Sequence, residues 1–508
     1  MNLLLPRIDW RGDGPGYAEM EFPIYEWTIA LCYRVFGIHE IFGRVIAYLF
    51  SLGTLGLFIA LARNLLPPAG AVAAALLFAL SPLVVRVATT LQPEGLMLLC
   101  YIGALYYFLR WLDSGTWRSY GLALCFTALT ILAKATAAHI GILFAILILK
   151  KEGLGALRQA RVWLFGALSL FPAALWYKYA HHLWLAYGNS LGLSNQYHWI
   201  GPDFFTNPAF IRGILNLDIR YVWMPTGLIV AAFALYLWKS ERSVPLSVYW
   251  LASISVFYIL ACRTTSSEWA DYYHVFSAAP VALLCGVGVE ATRRLALPGW
   301  GRKLLAIASA IVTILWGIAA TVGFHTEGSL RMCLLFGLTT VVLVVLFGVR
   351  VNPKSQEAQL GPQAPLVSTF VAAIAALSLA ATFLFQFRGD EREYRPRPDW
   401  AYRCAKNFEP LIPKGDRIVA SGGICTDPDG YPVAYNAPYM FYWMDRKGFN
   451  ICEGEQSIEA LRALEQRGAR YFVAEKYALD QKPGFETELR RSFPLVSDCK
   501  TVLLFQLN

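Results

Sequence analysis

Apolar residues in this chain recur in long, almost unbroken runs, with polar residues gathered in short stretches between them. The runs fall at about 42–62, 69–85, 95–112, 119–133, 135–149, 162–180, 221–238, 245–262, 275–292, 304–323, 332–349 and 366–386. Most approach the roughly 20 helical residues that cross the hydrocarbon of a bilayer while satisfying every backbone group internally. The pattern predicts an α-helical polytopic membrane protein of about twelve spans. The pair flanking Lys134 is the weakest, since each member is short and Lys134 alone separates them.

Three segments break the pattern. Residues 1–41 read as an external loop and not as a signal peptide, because MNLLL is too short and Arg7, Asp9, Arg11 and Asp13 follow at once. Within them, IYEWTIALCYRVFGIHE has apolar residues at helical spacing interrupted by Glu26 and Arg34, which predicts a helix lying in the interface or a short span. Residues 183–219, rich in Trp, Tyr, Phe and Asn, read as a second external loop that could cover a site at the membrane surface or form part of an aromatic belt.

After Arg388 the composition turns to the charged, proline-containing EREYRPRPDW, which marks a domain boundary. Beyond it, RIVASG and RYFVAEK predict short strands, SIEALRALEQRG an amphipathic helix ending in Gly, and TVLLFQL a closing strand. The chain thus divides into an external loop (1–41), a multi-span membrane domain (42–387) and a soluble α/β domain (388–508). That last domain holds no histidine and no phosphate-binding glycine loop, so its expected role is recognition or structure.

Composition agrees with a bilayer solvent: 56% of residues are hydrophobic and 16% charged, against about a quarter charged in soluble domains. The formal charge of +9 gathers in alternate loops, at Lys150 and Lys151, Arg293 and Arg294, and Arg302 and Lys303. Such loops face the cytoplasm, which places the N-terminus and, after an even number of spans, the C-terminal domain on the extracytoplasmic side of the membrane. The charge is then membrane anchoring, and nucleic acid is not an expected partner. Six cysteines, Cys32, Cys100, Cys125, Cys262, Cys285 and Cys333, lie in or beside apolar runs and read as small hydrophobes. Cys404, Cys425, Cys452 and Cys499 lie in the tail and allow two disulfides in any of three pairings.

Ionisable groups at the ends of membrane spans are costly unless used or paired. On the outer side the sequence offers Asp9, Asp13, Glu19, Glu21 and Glu26 in the first loop, Glu94 in LQPEGLM, and Glu268 and Asp271 in TSSEWADYYH. Arg86, Lys134 and Arg263 are cations at similar depth. Carboxylates beside cations at one bilayer face suit glycosyl transfer from a lipid phosphate. One carboxylate takes the acceptor's proton, and the cations, or a divalent metal ion, stabilise the departing phosphate. For most of these acids a solvated loop charge is the competing reading; Glu21 and Glu94, packed among apolar neighbours, favour a function.

The segment GYAEMEFPIYEW, followed by FGRVIAYLFSLGTLGLFIALARNL, resembles the first external loop and next span of the dolichyl-phosphate-mannose protein mannosyltransferases, a family that includes the bacterial lipid A aminoarabinose transferases. The resemblance continues through SPLVVRVATTLQPEGLMLL, LTILAKATA and DYYHVFSAAPVALL, over roughly residues 7–292. It implies a C-type glycosyltransferase fold, a polyprenyl-phosphate sugar donor, an extracytoplasmic lipid, glycan or protein acceptor, and inversion at the anomeric carbon. By position, Glu21 before Phe22 and Pro23 matches the acidic residue of the family's Glu-x-Pro element, Glu94 its later carboxylate and Lys134 its lysine. Asp9 and Asp13 join Glu21 and Glu94 as candidate catalytic acids, and Lys134, Arg263, Tyr272, Tyr273, His274 and Arg86 are candidate donor-binding residues.

One departure stands out. The family has a first transmembrane helix and then an aspartate, the presumed base, upstream of the Glu-x-Pro element, and Met1 falls after that point. The resemblance implies an N-terminus upstream of Met1, with thirteen spans in all, or substitution by Asp9 or Asp13, or a chain that no longer catalyses transfer. A secondary transporter and a non-catalytic assembly factor are the alternatives. The lack of internal repeats and the gathering of ionisable residues at one face count against the transporter.

Overall fold

The computed structural model describes residues 2–10, 12, 14–191, 193, 203–223, 227, 228, 230, 231, 234, 242–294, 400–426 and 438–507. The predicted runs 304–323, 332–349 and 366–386, most of 221–238, and Cys333 lie outside the described residues, as does the candidate acid Asp13.

Helices dominate the N-terminal 294 residues: α1 (Ile24–Phe36), α2 (Glu40–Leu65), α3 (Pro68–Leu80), α4 (Pro82–Thr89), α5 (Glu94–Ser114), α6 (Trp117–Ala133), α7 (Ile140–Glu152) and α8 (Ala160–Tyr187), then helices Pro208–Asp218, Ser243–Leu260 and Val275–Arg294. Among the described residues five helices have the length and apolarity to cross a bilayer, or six if α3 and α4 count as one span bent by 55°. The expected number of about twelve is therefore not reached among them. The 119–133 and 135–149 runs form α6 and α7, of 17 and 13 residues.

The α3–α4 bend follows from Pro82, which has no N–H to give back to Phe78 and pushes Ser81 into an extended conformation (φ −58°, ψ 128°). Part of the expected 183–219 loop is helical. The α8 helix runs on to Tyr187, and Pro208–Asp218 starts behind Asn207, whose side chain accepts a hydrogen bond from Ala209 N at 2.9 Å. The Asn-Pro pair there is a helix start, with proline at the first position where no intrahelical donor is needed.

The structure separates into two compact units, one of residues 1–24, 174–198 and 395–508, the other of residues 25–173 and 199–394. In the second, α5 is buried along most of its length, with Met97, Tyr101, Leu105 and Phe108 in the core. The helix Val275–Arg294 packs on α3 through glycine: a Cβ on Gly286 would come 2.5 Å from Gly70 O, and one on Gly70 would come 2.9 Å from Gly286 O. Such small-residue contacts let helix backbones approach where the solvent offers no hydrophobic drive to associate. The α2 helix leaves Val45, Tyr48, Leu49 and Leu52 exposed, and α8 leaves Trp163, Leu164, Phe171 and Leu175 exposed. These are the apolar faces a helix turns toward lipid.

The other unit carries a five-stranded mixed sheet of order β2-β1-β3-β5-β4, built from β1 (Arg417–Ser421), β2 (Gly448–Ile451), β3 (Ala469–Glu475), β4 (Leu495–Cys499) and β5 (Val502–Gln506). β2 and β3 flank β1 in parallel, while β5 runs antiparallel to β3 and β4. The predicted strands are β1, β3 and β5, and the predicted amphipathic helix is Ile458–Gln466, capped by Ser457. Two disulfides, Cys404–Cys499 and Cys425–Cys452, select one of the three possible pairings. The outer edge of β2 is covered by the N-terminal segment: Gly448 N donates to Asp9 O (2.9 Å), Asn450 N to Trp10 O (3.1 Å) and Gly12 N to Gly448 O (2.6 Å). An edge strand covered in this way no longer offers unpaired backbone to another chain.

Candidate active site

Glu94 and Lys134 form the centre of the site. Pro93 precedes Glu94, whose carboxylate sits in the first turn of α5, where the helix dipole favours negative charge. Lys134 interrupts the apolar stretch between α6 and a 3₁₀ turn, Ala135–His139, and is extended there (φ −158°, ψ 111°). Its Nζ donates to Glu94 Oε1 at 2.5 Å, with the two side chains only 5% and 4% exposed. The ammonium also lies 5.1 Å from the ring centre of Tyr272 and 4.9 Å from that of Tyr273, within cation–π range. Glu94 Oε2 is buried and has no hydrogen-bond partner among the described residues.

A second ion pair stands on the same 3₁₀ segment as those tyrosines, Glu268–His274. Arg86 on α4 donates to both oxygens of Asp271, at 2.6 and 2.5 Å, and its guanidinium lies 5.6 Å from the Tyr221 ring. Asp271 is almost fully buried and Arg86 about a fifth exposed (5% and 21%). Nearby, Arg220 pairs with the exposed Glu268 at 3.8 Å and its guanidinium lies 4.9 Å from Tyr221. Three carboxylates, Glu94, Asp271 and Glu268, three cations, Lys134, Arg86 and Arg220, and a set of tyrosine rings therefore gather around the Glu268–His274 segment. Arg263, half-buried, belongs to the short helix Cys262–Thr265 that precedes this segment.

His274 is completely buried, and both ring nitrogens face acceptors: Nδ1 lies 2.6 Å from Asp218 Oδ1 and Nε2 lies 2.8 Å from Thr265 O. That pinned ring ties three elements together. The sequence reading missed Asp218, whose aspartate at the end of a short helix gave no signal of its own.

The remaining candidate acids belong to the unit of the sheet. Glu21, half-buried, precedes Phe22, whose ring stands edge-on to Trp176 (4.9 Å), while the Trp176 indole donates to Met20 O at 3.0 Å. Glu19 is the more buried neighbour (3% exposed); it accepts from Ser190 Oγ at 2.5 Å and lies 3.4 Å from His181 Nδ1. Asp9 lies against β2, with Lys447 Nζ 3.8 Å away. Burial holds its carboxyl above the usual carboxylate range, opposed by Lys447. Among the described residues no three His, Cys, Asp or Glu side chains are grouped to hold a metal ion, so no step is derived through one.

The fold is that of a helical protein with several apolar helices long enough to cross a membrane and an attached sheet domain. Residues 15–177 match the family model described as dolichyl-phosphate-mannose-protein mannosyltransferase, the same family that GYAEMEFPIYEW resembles. Among solved structures, ArnT from Cupriavidus metallidurans bound to undecaprenyl phosphate superposes with a TM-score of 0.60 at 15% identity, covering 98% of this chain and 90% of that one. The same protein in its apo state gives 0.55 at 14% identity, with the same coverage. No curated protein sequence matches the chain significantly.

Proposed function

We propose that this protein is a membrane glycosyltransferase that takes a sugar from a polyprenyl-phosphate carrier and passes it, with inversion, to an extracytoplasmic lipid, glycan or protein. The observation that carries this reading is the buried Glu94–Lys134 pair faced by Tyr272 and Tyr273. A cation is held at low dielectric beside aromatic rings, where a phosphate could replace its carboxylate partner. The family match over residues 15–177 and the fold shared with ArnT, which was solved with undecaprenyl phosphate, support the same substrate class.

In this mechanism a carboxylate removes the proton from the acceptor's nucleophilic oxygen or nitrogen, which bonds to the sugar's anomeric carbon. The bond from that carbon to the phosphate oxygen breaks, and the electron pair leaves on the polyprenyl phosphate. Lys134 holds the phosphate alike in the bound donor and in the transition state, and Arg86 offsets the charge that grows on the leaving group, acting in a site where water competes little. Glu94, whose Oε2 is buried without a hydrogen-bond partner among the described residues, and Glu21, placed by the family resemblance, are the candidate acid/base carboxylates. The C-terminal sheet domain lies on the extracytoplasmic side, where its two disulfides persist.

The test is transfer of radiolabelled sugar from purified polyprenyl-phosphate donors to membrane extract. Transfer that Glu21→Ala and Lys134→Met abolish supports the reading. Uptake of label into vesicles without a new glycosidic bond, or no transfer from any donor, overturns it.

A further inference from the structure

The α5 helix grips the stretch after α6 twice. Glu94 holds Lys134, and Tyr101, two turns further along the same face of α5, meets His139 at the far end of the 3₁₀ turn. Seven residues of helix place the two grips roughly 10 Å apart along the axis. The lower grip is a hydrogen-bonded row. Trp250 Nε1 lies 2.7 Å from Tyr101 Oη, which lies 2.9 Å from His139 Nε2, and His139 Nδ1 lies 2.8 Å from Thr136 O.

With a neutral imidazole the two ends of the row set its directions, because the Thr136 carbonyl can only accept. An indole N–H only donates, so the Tyr101 oxygen accepts from Trp250 and gives its own hydrogen to His139 Nε2. Nδ1 then carries the ring's hydrogen and donates it to the Thr136 carbonyl. Tyr101 and Trp250 are completely buried and His139 nearly so, while Phe257 stacks on the imidazole and Phe276 meets it edge-on. Thr136 lies two residues beyond Lys134. The row therefore holds the backbone of the turn that Lys134 opens, and a long, flexible lysine side chain is placed only as well as its backbone.

We propose that Trp250, Tyr101 and His139 are positioning residues that fix the Lys134 ammonium for the donor phosphate. The proposal rests on reading Lys134 as the phosphate-holding group. A partner that acts through Lys134 on ground state and transition state alike raises KM and leaves kcat unchanged.

The test compares Tyr101→Phe with Tyr258→Phe in the full-length protein. Tyr258 is another buried tyrosine, whose hydroxyl meets Ser277 Oγ at 2.8 Å and takes no part in the row, and its variant measures the cost of losing a core hydroxyl. Tyr101→Phe raises KM for the polyprenyl-phosphate donor about tenfold, the factor carried by one buried hydrogen bond, with kcat within about twofold. In donor-free protein it also speeds reductive methylation of Lys134, read by mass spectrometry, while Tyr258→Phe does neither. Equal KM and equal Lys134 labelling in the two variants overturn the positioning role. Absence of transfer by the wild type, with faster Lys134 labelling in Tyr101→Phe, sinks the glycosyltransferase reading and leaves the tether of Lys134 standing.

Discussion

Lys134 Nζ lies 2.5 Å from Glu94 Oε1, joining two residues 40 positions apart and almost sealed from solvent. A buried pair owes its stability to completeness, because each charge has given up its water for the other. Lys134→Met leaves the Glu94 carboxylate uncompensated and costs about 3–5 kcal/mol of stability. The double variant Glu94→Leu with Lys134→Met regains most of that stability and transfers no sugar. Thermal unfolding in a fixed detergent checks the order, and equal melting points for the single and double variants would contradict it.

Arg86 gives Nη1 to both oxygens of Asp271 and sets its planar guanidinium 5.6 Å from the Tyr221 ring. Arg86→Lys keeps the charge and gives up the guanidinium's planar shape and further donors. Donor affinity falls about tenfold, the worth of one charge-assisted hydrogen bond. Titration with undecaprenyl phosphate gives the value, and unchanged affinity would remove Arg86 from the site.

The two disulfides close loops of very different length, with separations of 95 residues for Cys404–Cys499 and 27 for Cys425–Cys452. Loop-closure entropy makes them worth about 4.7 and about 3.5 kcal/mol respectively. The variant Cys404→Ala with Cys499→Ala therefore lowers the stability of the sheet domain more than the corresponding change at Cys425 and Cys452. Limited proteolysis across residues 400–508 in increasing urea measures the difference, and the reverse order would contradict the pairing.

Asp9 carries a carboxyl that burial raises above its usual range, against the opposing pull of Lys447. A carboxyl whose folded pKa exceeds its unfolded value loses stability as pH rises through the folded pKa. Asp9→Asn removes that loss, so the variant is at least as stable as the wild type at pH 7, and any advantage vanishes below the unfolded pKa near 4. The side chain is half-exposed, so the gain stays under about 0.5 kcal/mol. Clear destabilisation at pH 7 would show that the ion pair with Lys447 outweighs burial.

How much of this was legible in the sequence depended on the range of the interaction. The spans α2, α5 and α8 follow from apolar runs, and β1, β3 and β5 from RIVASG, RYFVAEK and TVLLFQL. β2 escaped notice because GFNI is four residues long and opens on a glycine, demanded by a close approach to Ile418 O that leaves no room for a Cβ. Glu94 and Lys134 stood out as charges in apolar surroundings, but nothing local announces that they pair. Nor does anything local join Arg86 to Asp271, 185 residues away. Tyr101, His139 and Trp250 read as ordinary core residues. The available signal was the seven-residue spacing of Glu94 and Tyr101, which puts both on one face of a helix. His274 stood out beside Tyr272 and Tyr273, but nothing local announces its partners Asp218 and Thr265.

The proposed role of Lys134, within its carboxylate and tyrosine surroundings, is to hold the phosphate of a polyprenyl carrier. Equilibrium binding of undecaprenyl phosphate to the purified wild type and to the Glu94→Leu, Lys134→Met double variant tests it most directly, because the double variant keeps the fold while losing the cation. Saturable binding to the wild type is expected, with affinity at least about tenfold weaker in the double variant; equal affinity in two folded proteins would contradict a phosphate-holding Lys134.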